Sequence, residues 1–223
     1  MSRNFLTPLV LPAGTTSAAP LSLQSGTNLT SATAGSVEYD GKVIYSTPAG
    51  RGVSPSMMFY RLNSSFVGTN GTAVQSLFGV GVSLAASTVY VFEVNVMLRK
   101  SAGTTSHTMG LSMDCSSSPT NIHYLGTFAT VTSPTTGGQN ASNGSFYSTS
   151  AGNITITGAM TAASQQTQFI LKGTLSTNTA TTFTPSYFLS AAPGGAYSTF
   201  TGSFCAIWPI GAAGSNTSVG PWA

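Results

Sequence analysis

From residue 53 onward apolar and polar residues alternate with a period of two, and no stretch sustains a helical period. The clearest run is Thr88 to Lys100. Tyr90, Phe92, Val94, Val96 and Leu98 fall on one face, and Val89, Val91, Glu93, Asn95, Met97 and Arg99 on the other. Successive side chains of a strand point to opposite faces, so the first set predicts a wholly apolar core face. Enrichment in Val, Tyr and Phe favours strand over helix. The same alternation puts His107, Met109, Leu111, Met113 and Cys115 on one side of a second half-buried strand, expected to run antiparallel to the first. Residues 122–132, 167–176, 187–189 and 203–210 continue the series, with Phe169, Leu171 and Leu175 on one side of their strand. Shorter candidates are 57–62, 75–82, 146–147 and 153–157, and a Gly/Ser/Asn loop covers 133–145. About eight or nine short strands between Gly, Pro, Ser and Asn turns predict an all-β, antiparallel β-sandwich. Jelly-roll is the expected topology, with an immunoglobulin-like sandwich as the alternative.

The first part of the chain reads differently. Residues 1–36 are rich in Pro, Thr, Ser and Ala, with apolar residues only in short clusters such as Leu9-Val10-Leu11. They predict an extended arm that gains order by lying on a partner. Residues 37–52 predict a β-hairpin linker, because Asp40-Gly41 is a strong turn signal between strand-like flanks. Residues 53–223 then form the sandwich domain, ending in a loop-like tail over 211–223 with Trp222 as its anchor.

Charge narrows the function classes. Only 5% of residues are charged, against about 25% in an average protein. Lys and Arg number 7 and Asp and Glu 4, a net charge of +3, whereas Ser and Thr make up 66 of the 223 residues. Seven scattered cations do not form a phosphate-binding stripe, which argues against nucleic acid. Charge-driven disorder, coiled coil and collagen are excluded by the same composition. A hydroxyl-rich surface of low net charge is prone to associate, which favours a subunit of an assembly. The apolar-leaning stretch 66–92 is interrupted by Ser76, Gly79, Gly81, Ser83, Ser87 and Thr88, so membrane insertion is not expected. Pro8 and Pro12 break any secretory leader at the start. Cys115 and Cys205 are expected as two buried thiols, with a single bridge between them as the alternative.

Groups that could carry catalysis are sparse. Glu38 and Asp40 read as hairpin carboxylates facing water, and Glu93 and Asp114 as ion-pair partners of Arg99 and Lys100. His107 and His123 lack metal-ligand spacing, and each reads as a buried or hydrogen-bonded histidine. No nucleophile elbow, phosphate loop or dinucleotide fingerprint occurs. We therefore assign no catalytic, metal-binding or cofactor-binding residue, and expect a non-enzyme without cofactor. Tyr124, Tyr147, Tyr187 and Tyr197 would stack on sugars if they lay at loop tips, or else pack in the core.

Residues 19–30, Ala-Pro-Leu-Ser-Leu-Gln-Ser-Gly-Thr-Asn-Leu-Thr, continue through Ala34-Gly35-Ser36-Val37-Glu38-Tyr39-Asp40-Gly41 to Tyr45-Ser46-Thr47-Pro48. This stretch resembles a module of tailed-bacteriophage virion proteins, departing from its pattern at Leu23 (often Phe) and Ser36 (often Ala). The opening, residues 3–12, is similar to the start of phage tail and fibre subunits. The resemblance implies a non-enzymatic virion component, often trimeric, assembled in the host cytoplasm. The expectation is a homotrimeric fibre-type subunit whose arm, residues 1–36, docks to other virion proteins while the sandwich adheres to host-surface glycans as a tail fibre. The alternative is a capsid decoration or head-fibre protein. A glycan depolymerase and a secreted carbohydrate-binding module stand further off.

Overall fold

The structure is a computed structural model that describes residues 10–132, 140–214, 216–220 and 222, with the backbone alone at 140 and 141. Sixteen strands and no helix form among the described residues. In chain order the short ones are β1 (Val37–Tyr39), β2 (Ile44–Ser46), β3 (Gly52–Ser54), β4 (Met58–Arg61), β5 (Phe66–Val67), β6 (Gln75–Ser76) and β7 (Val82–Leu84). The long strands follow: β8 (Thr88–Lys100), β9 (Met109–Cys115), β10 (Asn121–Val131) and β11 (Asn140–Ser148). After the short β12 (Ile154–Thr155) come β13 (Gln166–Thr177), β14 (Thr181–Leu189), β15 (Tyr197–Thr199) and β16 (Phe204–Ala212).

These strands make an antiparallel β-sandwich with a small separate sheet. The first layer runs β11-β10-β13-β8, and the far edge of β8 is shared: β16 pairs with residues 88–95 and β15 with 98–100. β4 lies outside β16, and β5 outside β15. The second layer is β12-β9-β14, with β6 and β7 side by side on the outer edge of β14. β1, β2 and β3 form the third sheet. Across the sandwich the pairing is nested: β8 with β16, β9 with β14, β10 with β13.

The core follows from β8. Its five apolar side chains are fully buried, as the alternation predicted. Phe92 packs on Tyr124 of the same sheet and on Phe183 of the opposite one, with ring centroids 6.3 and 5.2 Å apart. Removing one such ring from water contributes about 1.5–3 kcal/mol. Gly173 lies directly opposite Phe92, and a β-carbon there would come within 2.7 Å of the ring. The absence of a side chain lets Phe92 lie across the neighbouring strand.

Several expectations are corrected. β9 belongs to the second layer and does not pair with β8, because residues 101–108 arch over the end of the sandwich instead of turning back in plane. It is also buried on both faces through Met113, not half-buried. Residues 75–82 are not one strand: the Ser76 hydroxyl accepts from the amides of Phe78 and Gly79, closing a turn between β6 and β7. The loop expected over 133–145 gives way to β11 at Asn140, and 133–139 lie outside the described residues. The tail is strand as far as Ala212, and Trp222 anchors nothing in the core: it is 81% exposed, its indole donating to the Val219 carbonyl. Both cysteines are free thiols, Cys205 buried and Cys115 half-buried, so the alternative bridge does not form.

Core packing is testable by urea unfolding. Phe92→Ala is expected to cost about 3–5 kcal/mol through the cavity it leaves, and Gly173→Ala about 1–3 kcal/mol through overpacking. The buried Tyr124 hydroxyl makes no hydrogen bond. Tyr124→Phe is therefore expected to leave stability unchanged or raise it by about 1 kcal/mol.

Candidate functional site

Three places gather polar or aromatic side chains. The first is where the arm meets the small sheet. The Glu38 carboxylate accepts from the Leu29 amide at 2.6 Å and from Arg51 Nε at 3.0 Å, and Arg51 Nη2 donates to the Leu29 carbonyl. One acid and one base thus hold both polar groups of a single arm residue. Further along, the Gly26 amide donates to the Tyr39 carbonyl, the Gly35 amide to Thr47, and the Thr47 amide back to Ser36. Residues 26–36 are therefore tied to the sheet, and 10–25 run exposed. Asp40 organises the turn: its carboxylate accepts from the amides of Lys42 and Val43 and from the Tyr45 hydroxyl. Lys42 then joins the small sheet to the start of β8, donating to the Ala86 carbonyl at 2.9 Å and to the Thr88 hydroxyl.

The charges respond accordingly. The Leu29 amide and, against the effect of burial, the Arg51 guanidinium hold Glu38 below the usual carboxylate range. Burial works against ionisation of Asp40, but its hydrogen bonds outweigh it and the carboxyl lies low. Burial and the neighbouring Asp40 push Tyr45 up to about 12.

The second place is a buried cluster beneath the tip formed by 101–106. His107 is almost fully buried, with Nδ1 2.7 Å from the Thr105 carbonyl and Nε2 2.8 Å from the Tyr197 hydroxyl. The carbonyl requires a proton on Nδ1, and burial lowers the pKa so that the ring is neutral and Nε2 accepts from the tyrosine. Lys100 is buried too, its Nζ donating to the Gly103 carbonyl and lying 5.9 Å from the Tyr197 ring. Burial lowers the pKa of both, and the Lys100 charge lowers His107 further against the Thr105 hydrogen bond. Tyr187 packs edge-on against Tyr197 and donates to Gln75. Histidine and tyrosine are sealed from solvent, so the pair is a packing device for the tip and not a base beside a nucleophile.

The third place is the outer face of the first layer. The register lines up Tyr147, Leu125, Lys172, Glu93, Ala206 and Phe59 in one row across six strands. Tyr147 is 78% exposed, Leu125 59% and Phe59 56%, and Lys172 pairs with Glu93 at 2.8 Å in the middle.

The ion pairing expected of Glu93 and Asp114 with Arg99 and Lys100 is thus corrected. Glu93 meets Lys172, Asp114 accepts from Ser112 at 2.5 Å, Arg99 lies over the Phe200 ring, and Lys100 is interior. His123 is exposed on β10 while His107 is buried, so the two histidines do not converge. Of the four tyrosines proposed for sugar stacking, Tyr124, Tyr187 and Tyr197 are core residues, and Tyr147 stands on a strand face, not a loop tip. Arg51 had no signal in the sequence, because its role depends on the arm folding back. Among the described residues no three His, Cys, Asp or Glu side chains gather as a metal site would require. Comparison with protein-family models, curated proteins and solved structures gives no match for the chain.

Two measurements probe these contacts. In Glu38→Gln or Arg51→Ala, amide hydrogen exchange at Gly26, Leu29 and Gly35 is expected to accelerate while β8 and β13 amides stay protected. For His107, the unfolded chain takes up a proton near pH ~6.5, whereas the folded site resists it. Stability is full above that pH and falls as pH drops through it toward the lower folded value. Melting temperatures between pH 8 and pH 5 should decline for wild type and decline less for His107→Gln.

Proposed function

We propose that the protein is a non-enzymatic structural subunit of a tailed-phage virion, a fibre-type protein that docks by residues 1–36 and projects its sandwich as a homotrimer. The observation that carries the reading is an overlap. Within the stretch that resembles the virion module, 19–48, residues 26–36 are tied to the small sheet and its first two strands follow, while 19–25 run exposed and the clamping Arg51 lies just beyond the stretch. Such a unit, joined to the sandwich through Lys42, suits a mounting piece on a larger particle. The near absence of ions on the sandwich supports the same reading, since permanent assembly tolerates a surface that free proteins avoid.

In the leading form the subunit is a tail fibre whose distal face adheres to host glycans, with Tyr147 as the stacking aromatic. The burial of the other three tyrosines favours a second form, a head-fibre or decoration protein on the capsid, where adhesion is secondary.

Particles assembled with a chain lacking residues 1–36 should contain none of the subunit by immunoblot, although the purified truncation keeps its strand circular dichroism. Normal incorporation would remove the docking role. A cryo-electron density map of whole particles separates the two forms: density at the tail supports the fibre, density on the capsid lattice the head protein.

A further inference from the structure

We infer that Lys100 and His107 are the two halves of an acid-released latch. At neutral pH they hold the tip formed by 101–106 closed, and protonation of the His107 ring lets that tip swing open while the sandwich stays folded. The inference goes beyond the virion reading and does not depend on it.

Two side chains hold the tip. Its residues are exposed except Gly103, which is half-buried. Among the described residues, none of its backbone groups bonds to another backbone group. Its hydrogen bonds come instead from the residues that flank it. Lys100, the last residue of β8, reaches forward to the Gly103 carbonyl at 2.9 Å, and His107 reaches back to the Thr105 carbonyl at 2.7 Å. Both side chains are interior. The rest of the hold is packing: the backbone at Gly103 comes up against Pro193 and Gly194, and Gly195 against Ala102. A segment with few buried contacts and no backbone bonds of its own is where a fold opens first.

Nothing around the ring receives a second positive charge. The titratable groups that face His107 are Lys100 on β8, Tyr197 on β15 and, behind that ring, Tyr187 on β14. Burial keeps both tyrosines protonated. The segments 68–75, 101–106, 157–165 and 190–196 complete the surroundings and contain no ionisable side chain. Arg99 lies over the Phe200 ring on the outer face. The four side-chain carboxylates of the chain are engaged elsewhere: Glu38 with Arg51, Asp40 in its turn, Glu93 with Lys172 and Asp114 with Ser112. Lys100 is therefore buried without a counter-ion, and its charge stands against protonation of the ring.

Protonation at Nε2 has two costs. That nitrogen becomes a donor, so the fully buried Tyr197 hydroxyl must turn to accept, and its own hydrogen loses its acceptor. A second cation also comes to lie beside the first, away from water. Opening the tip relieves both, because water then reaches the imidazolium and the ammonium. The sign follows from linkage. The open form binds a proton near pH ~6.5, as a solvated histidine does, and the closed form only at lower pH, so acid drives opening. Lys42 ties the small sheet to Thr88, the first residue of β8, whereas the tip follows Lys100, the last. At ~3.3 Å per residue the two ends of this strand are ~40 Å apart. Acid thus changes the end of the sandwich remote from the arm, in shape and, by bringing Lys100 and His107 to a surface with few ions, in charge.

The test is nuclear magnetic resonance of the purified full chain between pH 8 and pH 4. Overhauser contacts between the α-protons of Gly103 and Gly194 report the closed tip, and cross-strand contacts between β8 and β13 report the sandwich. The expected result is loss of the first at the midpoint of the His107 ring titration, below ~6.5, while the second persist. In His107→Gln, whose amide can bond both Thr105 and Tyr197 without a charge, the Gly103–Gly194 contact is expected at every pH. A ring that stays neutral down to pH 4, a contact that survives protonation of the ring, or simultaneous loss of the β8–β13 contacts overturns the latch. Opening of His107→Gln at the same pH as wild type overturns the part assigned to His107. Should that variant misfold, the wild-type titration decides alone, because it reads ring and tip in one molecule.

Discussion

One strand sets the terms for the whole molecule. The core face of β8 is five apolar side chains long, and its thirteen residues need hydrogen-bond partners on both edges. β13 satisfies one edge along its full length; β16 and β15 divide the other. Once β8 is fixed, the remaining long strands must either extend its sheet or roof its apolar face. The arches that cross between layers follow from that need, because a flat sheet would leave Phe92 and its neighbours in water. Backbone pairing and ring packing do this with almost no help from ions.

Several of the ions act at joints. Glu38 and Arg51 close the arm on the small sheet, Lys42 ties that sheet to the sandwich, and Lys100 is folded under the tip. A partly exposed single ion pair such as Glu38–Arg51 contributes roughly 0–1 kcal/mol, so it adds more to orientation than to stability. A hydroxyl surface leaves their fields uncluttered: Glu38 has one cation within reach, and that cation has one arm residue to hold.

Much of the fold was legible because strand periodicity is local. β8 falls on its expected bounds, and the buried face of β13 was readable from Phe169, Leu171 and Leu175. Which layer each strand joins was not legible. His107 to Cys115 alternates as β8 does, yet the arch at 101–108 sends β9 to the opposite sheet, a choice made by loop path and not by side-chain pattern. Strands of two or three residues, such as β6, β12 and β15, lie below the length at which alternation can be seen. Tyrosines posed a different problem: a residue with an apolar body and a polar end fits core and surface alike, and only packing against Phe92, Phe146 or His107 decided between them. The outer-face residues Leu125 and Ile170 were present in the alternation but sat on its solvent side, where apolar residues are common enough to pass unnoticed.

The arch at 101–106 lies against the segment around Pro193 and Gly194, and no side chain fits at Gly103 or Gly195 without striking the opposing backbone. Two stretches some ninety positions apart in the chain are thereby locked into one cap. Neither can drift independently: a bulkier residue in one demands a compensating retreat in the other. Diversification at this end would have to proceed by exchange of both segments together, so natural variants should differ there in blocks rather than residue by residue.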